Sequence, residues 1–94
     1  VSHFAELDKN NVVLRVLVGN NNDPAGDEGY SWFVNNLGGR WVQTSYNATF
    51  RNKYAAINDI YLEAEDVFIA PQPDPSYVLD ENYEWQPATE NTEK

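Results

Sequence analysis

Ninety-four residues make one domain, since a chain of this length is too short to divide into separate cores. The absence of cysteine removes disulfide and thiol chemistry and excludes a disulfide-dense secreted scaffold. Six Lys and Arg against fifteen Asp and Glu give a net charge of −9. That charge argues against binding to nucleic acid or to anionic membrane surfaces, both of which attract basic side chains.

The charge is unevenly spread, with −2 on residues 1–47 and −7 on residues 48–94. The longest apolar runs, residues 12–14, 16–18 and 67–70, fall far short of the about 20 residues that span a bilayer. No basic stretch followed by an apolar run opens the sequence, so no signal peptide is expected.

Residues 3–7 (HFAEL) read as a strand, followed by turn formers at Asp8, Lys9, Asn10 and Asn11. Residues 12–18 (VVLRVLV) form the clearest strand signal, and the two runs pair as a hairpin. Simple alternation puts Val12, Leu14, Val16 and Val18 on one face and Val13, Arg15 and Leu17 on the other. An arginine in the middle implies that its face is partly wet or paired. Residues 19–29 hold three glycines and a proline without a large apolar side chain, and form a loop.

Residues 30–37 read as a short helix stopped at Gly38, with Phe33, Val34 and Leu37 on one face and Asp27 or Glu28 near the positive end. Residues 40–46 alternate as a strand, Trp41 and Gln43 opposite Val42 and Thr44. Residues 47–56 are ambiguous, and an α+β domain in which residues 47–58 are also helical is the rival architecture. Residues 60–62 and 67–69 make a second hairpin around an acidic turn. Three prolines, Pro71, Pro73 and Pro75, favour an extended polyproline stretch. Residues 77–79 and 83–85 make a third hairpin, ended by Pro87. The expected fold is therefore all-β or β-dominated, three hairpins and one short helix over residues 1–87, with a polar tail at 88–94.

No constellation carries catalysis. His3 has neither a second histidine nor a cysteine to join it, which excludes an ordinary zinc site and leaves no catalytic triad. Asp23, Asp27 and Glu28 lack the ligand spacing of a calcium loop, as do Asp80, Glu81 and Asn82. Gly38, Gly39 and Arg40 do not continue into a phosphate loop. The expectation is a non-enzymatic chain with no cofactor and no metal.

The informative feature is aromatic content: three Trp, six Tyr and four Phe. Phe4, Trp32, Phe33, Trp41 and Phe68 are expected in the core. Tyr61, Tyr77, Tyr83 and Trp85, together with Pro71, Pro73 and Pro75, lie near prolines or in the acidic half. They are the candidate partner-binding residues, because Tyr and Trp anchor interfaces.

Several stretches carry a resemblance. Residues 2–8 (SHFAELD) followed by 11–16 (NVVLRV), then 39–47 (GRWVQTSYN), 50–55 (FRNKYA), 66–73 (DVFIAPQP) and 76–85 (SYVLDENYEW) look like small, largely uncharacterised proteins of tailed bacteriophages, especially marine ones. The likeness runs through nearly the whole chain in order. It departs at Asp74, where the similar proteins often carry an aromatic residue, and at the polar end, which replaces a Pro-rich tail. It implies a virion accessory protein made in the host bacterial cytoplasm, foremost a capsid decoration protein whose partner is the major capsid protein or another virion protein. The alternatives are a tail, neck or fibre component, a fibre-assembly chaperone, or a small carbohydrate-binding module. Self-association is an open alternative.

Overall fold

A computed structural model describes residues 2–20 and 22–88. Seven strands and one helix follow one another as β1 (His3–Leu7), β2 (Val13–Val18), α1 (Tyr30–Leu37), β3 (Arg40–Thr44), β4 (Ile60–Leu62), β5 (Val67–Ile69), β6 (Tyr77–Leu79) and β7 (Trp85–Pro87). They form a three-stranded antiparallel sheet in the order β2-β1-β3 and two separate hairpins, β4-β5 and β6-β7. The fold is the β-dominated, three-hairpin domain with one short helix that the sequence implies. Apart from Ala88, the expected polar tail lies outside the described residues.

Strand alternation makes β1 the divider of two cores. Phe4 points to one side, where Phe33 of α1 and Trp41 of β3 are also buried and Leu17 packs against them. The Phe33 and Trp41 rings stack with centroids 4.7 Å apart. Ala5 and Leu7 point to the other side, into a second cluster with Val13, Ala55, Tyr61 and Phe68. The helix covers one face of the sheet and the β4-β5 hairpin covers the other.

The register of β2 differs from simple alternation. Glu6 lies opposite Arg15, but Leu7 lies opposite Val13, which leaves Leu14 as a bulge. The extra residue turns Val13 and Val16 to the same side, where both pack on the second core. Leu14 is left exposed. Arg15 is paired, as its face required: Nε donates to Glu6 Oε1 at 2.7 Å, and the guanidinium lies 5.5 Å from the centre of the Trp41 ring.

The helix has the expected limits, but its burial is narrower. Only Phe33 is buried, while Tyr30, Val34 and Leu37 are exposed. Trp32, expected in the core, is 54% exposed. Its position beside Phe33 rather than three or four residues away turns it off the buried stripe. Gly38 ends the helix with φ 71°, its N–H bonded to Val34 O. At Gly39, φ is 86°, a left-handed conformation that favours glycine.

Residues 47–58 contain no helix. Ala48, Arg51, Asn52 and Asn58 all have positive φ, which interrupts any helical run. The segment instead ties the second hairpin to the sheet. Val13 N donates to Asp59 O, Asn58 N to Val13 O and Tyr61 N to Asn11 O.

Asp59 anchors this junction. It is 2% exposed and its Oδ2 accepts from Lys53 Nζ at 2.5 Å and Ala56 N at 2.9 Å. Lys53→Met leaves that carboxylate without its counter-charge. A loss of about 2–3 kcal/mol is expected, below the usual range for breaking a buried pair because the lysine is partly hydrated. Lys53→Met/Asp59→Asn recovers part of it. Urea unfolding of the two variants measures both, and equal stabilities overturn the assignment.

Candidate partner-binding surface

The first and third hairpins turn in the same way. Asp8 Oδ1 accepts from Asn10 N and Val12 N, Asn11 N donates to Asp8 O, and Asp8 N donates to Val12 O. In the third hairpin Asp80 Oδ1 accepts from Asn82 N and Glu84 N, Tyr83 N donates to Asp80 O, and Asp80 N donates to Glu84 O. The left-handed position is filled by Asn11 (φ 66°) in one turn and by Tyr83 (φ 63°) in the other. Asparagine is at ease there and a bulky residue is not.

The ladder of the third hairpin also explains its proline. Asp80 bonds with Glu84, and Ala88 N donates to Ser76 O, so the alternating pairs Tyr77–Pro87 and Leu79–Trp85 make no ladder bonds. Pro87 therefore forms the last residue of β7, where its missing N–H costs no ladder bond. The four side chains of those pairs share one face. On the outer edge of β6, Tyr77 N donates to Asp74 O, and Tyr77 O accepts from Gln72 Nε2 at 2.9 Å. Both edges are thus partly closed to strand addition, and recognition falls to side chains.

The prolines lie in a turn more than in an extended run. Asp74 Oδ2 accepts from Ser76 N at 2.9 Å, and residues 73–76 bend the chain back into β6. Pro71, Pro73 and Pro75 are all exposed. Tyr77, Tyr83 and Trp85 are half-buried, and Trp85 Nε1 donates to Ala70 O at 2.8 Å. That bond makes Trp85 a tether of the hairpin to the body as well as a surface ring. Val78, which the sequence did not single out, is 53% exposed on the opposite face.

Tyr61 is not part of this surface. It is 9% exposed, its ring packs on Phe68 at 5.2 Å, and its hydroxyl donates to Asp66. Its place in the middle of a three-residue strand turns it inward, so its role as an anchor is corrected to one in the core. Burial above all, and the bond to Asp66, push the Tyr61 phenol up. The Tyr61 hydroxyl, followed by the Arg51 guanidinium, holds the Asp66 carboxyl below its ordinary 3.8.

A carboxylate with a lowered folded value contributes stability above its ordinary pKa and loses it as pH falls through the folded value. Asp66→Asn should therefore unfold with a shallower loss of stability below pH 3.8 than the parent. Acid titration of unfolding free energies reads this, and parallel curves overturn it.

Residues 71–87 carry four carboxylates, Asp74, Asp80, Glu81 and Glu84, and no Lys or Arg. The Ser76 hydroxyl lowers Asp74, and the Glu84 N–H followed by the Gln86 amide lowers Asp80. Both stay charged to well below neutral pH. Among the described residues no three His, Cys, Asp or Glu side chains are grouped to hold a metal ion.

A concavity beside α1 was not foreseen. Val18, Trp32 and Phe33 wall a cleft of about 270 Å³ with Asn20 and Asp23 at its polar side. The signal in the sequence was Trp32 standing out of step with Phe33 and Leu37. Comparison with models of known families, with curated proteins and with solved structures yields no match.

Proposed function

We propose that the chain is a non-enzymatic accessory protein of a tailed-phage particle, a decoration protein that docks on the major capsid protein through residues 71–87. The observation that carries the reading is Tyr83. The turn it occupies is the one in which the first hairpin uses asparagine, and a tyrosine held there costs stability without any turn requirement for it. Strain of this kind is kept where the side chain serves a contact. The rigid prolines lower the entropy lost on docking. The carboxylates suit a basic groove and chiefly set the association rate and its salt dependence, while the aromatic rings set the lifetime. The resemblance to phage proteins supplies the particle as the setting.

The test separates fold from function in one substitution. Tyr83→Asn should raise stability by about 0.5–1 kcal/mol, relieving the left-handed strain. It should also lower occupancy on particles stripped of the wild-type protein, and Tyr77→Ala/Tyr83→Asn should abolish it. Full occupancy of the double variant places the interface elsewhere and sinks the proposal.

A further inference from the structure

The cleft beside α1 is walled by Phe33 on the face of the sheet opposite the Phe68 core, whereas the third hairpin is tethered through Trp85 to Ala70, just after β5. Its base is preformed: Asn20 N donates to Glu28 O at 2.7 Å, and Gly29 N donates to Asp23 Oδ2 at 3.2 Å. Gly19 allows the close approach, since a Cβ there would lie 2.3 Å from Glu28 O. The cleft therefore does not need to be built by its ligand.

Its chemistry is an exposed indole beside the Asp23 carboxylate, with Asp27 and Glu28 in the same loop. Trp32 is 54% exposed, Asp23 lines the cleft, and Asp27 N approaches Asp23 Oδ2 at 3.4 Å. None of the ion pairs among the described residues involves Asp23, Asp27 or Glu28. Asp27 Oδ1 is shielded from solvent and accepts no hydrogen bond. The Ser31 hydroxyl holds the Asp27 carboxyl in its charged form.

We propose that this cleft is a second docking site, which takes an arginine side chain of a partner protein over the face of Trp32 with Asp23 at its charged end. The chain already holds its own Arg15 in this way, 5.5 Å from the centre of the Trp41 ring and 2.7 Å from Glu6 Oε1. The cleft presents the same pair of groups, indole and carboxylate, without the cation. An anionic ligand meets only like charge there. An uncharged one leaves the carboxylates without a counter-charge, and a purely apolar one buries Asp23 at a cost. A guanidinium answers both the ring and the charge.

The probe is acetyl-Gly-Arg-Gly-amide, titrated into the isotope-labelled chain and followed by amide and indole NMR signals. It should shift the Trp32 indole N–H and the amides of Gly19 and Gly29, while acetyl-Gly-Gln-Gly-amide and methyl glucoside do not. Trp32→Ala should weaken the arginine response about two- to fivefold. Asp23→Asn keeps an oxygen for the Gly29 N–H and removes the charge, so the loop stands while the affinity and its salt dependence fall. An equal response to the glutamine peptide, a response to the glycoside in place of arginine, or unchanged affinity in both variants overturns the proposal. The assay involves no particle, and Tyr77→Ala/Tyr83→Asn should retain the full response. Failure here is thereby distinguished from failure of the proposed capsid docking.

Discussion

Trp41→Ala lowers the unfolding free energy by about 3–5 kcal/mol, the range for truncating a buried aromatic residue. Trp41 is 4% exposed and packs with Phe4 and Phe33 in the cluster between the helix and the sheet. Three losses coincide in the variant. The stack with Phe33 at 4.7 Å disappears, the Nε1 bond to Gly38 O at 2.7 Å is lost, and Arg15 no longer has a ring beneath it. A chain of this length has a total stability of about 5–14 kcal/mol. The substitution therefore removes from about a fifth to nearly all of it, and α1, whose one buried residue is Phe33, loses its seat. Urea unfolding together with the far-ultraviolet helical signal measures both effects. A change under about 1 kcal/mol would falsify the packing described for this face.

Phe68→Ala produces a loss of similar size, about 3–5 kcal/mol, on the opposite face. Phe68 is fully buried among Ala5, Leu7, Val13, Ala55 and Tyr61. Two of those neighbours are alanines, which cannot reorient to fill the space, so the site collapses poorly and the cost belongs at the upper end. The backbone on either side is pinned, with Phe68 N donating to Arg51 O and Phe68 O accepting from Asn52 Nδ2. The variant should keep the hairpin path and hold a cavity. Because β1 belongs to both cores, its unfolding should remain a single cooperative transition. A separate early transition of the second hairpin would show instead that the two faces are independent.

Much of this fold was legible in the sequence because its turns are written locally. Asp followed by Asn residues marks the first and third turns, and the helix begins after a glycine-rich loop and stops at Gly38. The bulge at Leu14 was not legible, since VVLRVLV alternates without a mark and only the partner strand reveals the extra residue. The third hairpin closes two residues later than the run Tyr83–Trp85 suggested, because Tyr83 is consumed by the turn. Pro87 likewise reads as a terminator until the ladder shows that its position needs no donor. Residues 47–58 gave no signal because their shape comes from side chains bonding to backbone, such as Thr44 Oγ1 accepting from Ala55 N at 2.9 Å. Of the candidate anchors, Tyr61 was misplaced because a three-residue strand is too short to declare which face is buried. The cleft beside α1 was missed for the related reason that Trp32 was weighed by its size and not by its step around the helix.

Each layer of the molecule carries its own tryptophan. Trp41 lies buried between helix and sheet, Trp32 stands 54% exposed at the cleft, and Trp85 is half-buried with its indole N–H held by a carbonyl. Three indoles in three environments are three built-in optical reporters. Quenching by the uncharged probe acrylamide should reach Trp32 first, Trp85 partially and Trp41 hardly at all. Single-tryptophan versions with phenylalanine at the other two positions turn the chain into a set of sensors. One responds to unfolding, one to occupation of the cleft and one to burial of the third hairpin, and none requires an added label.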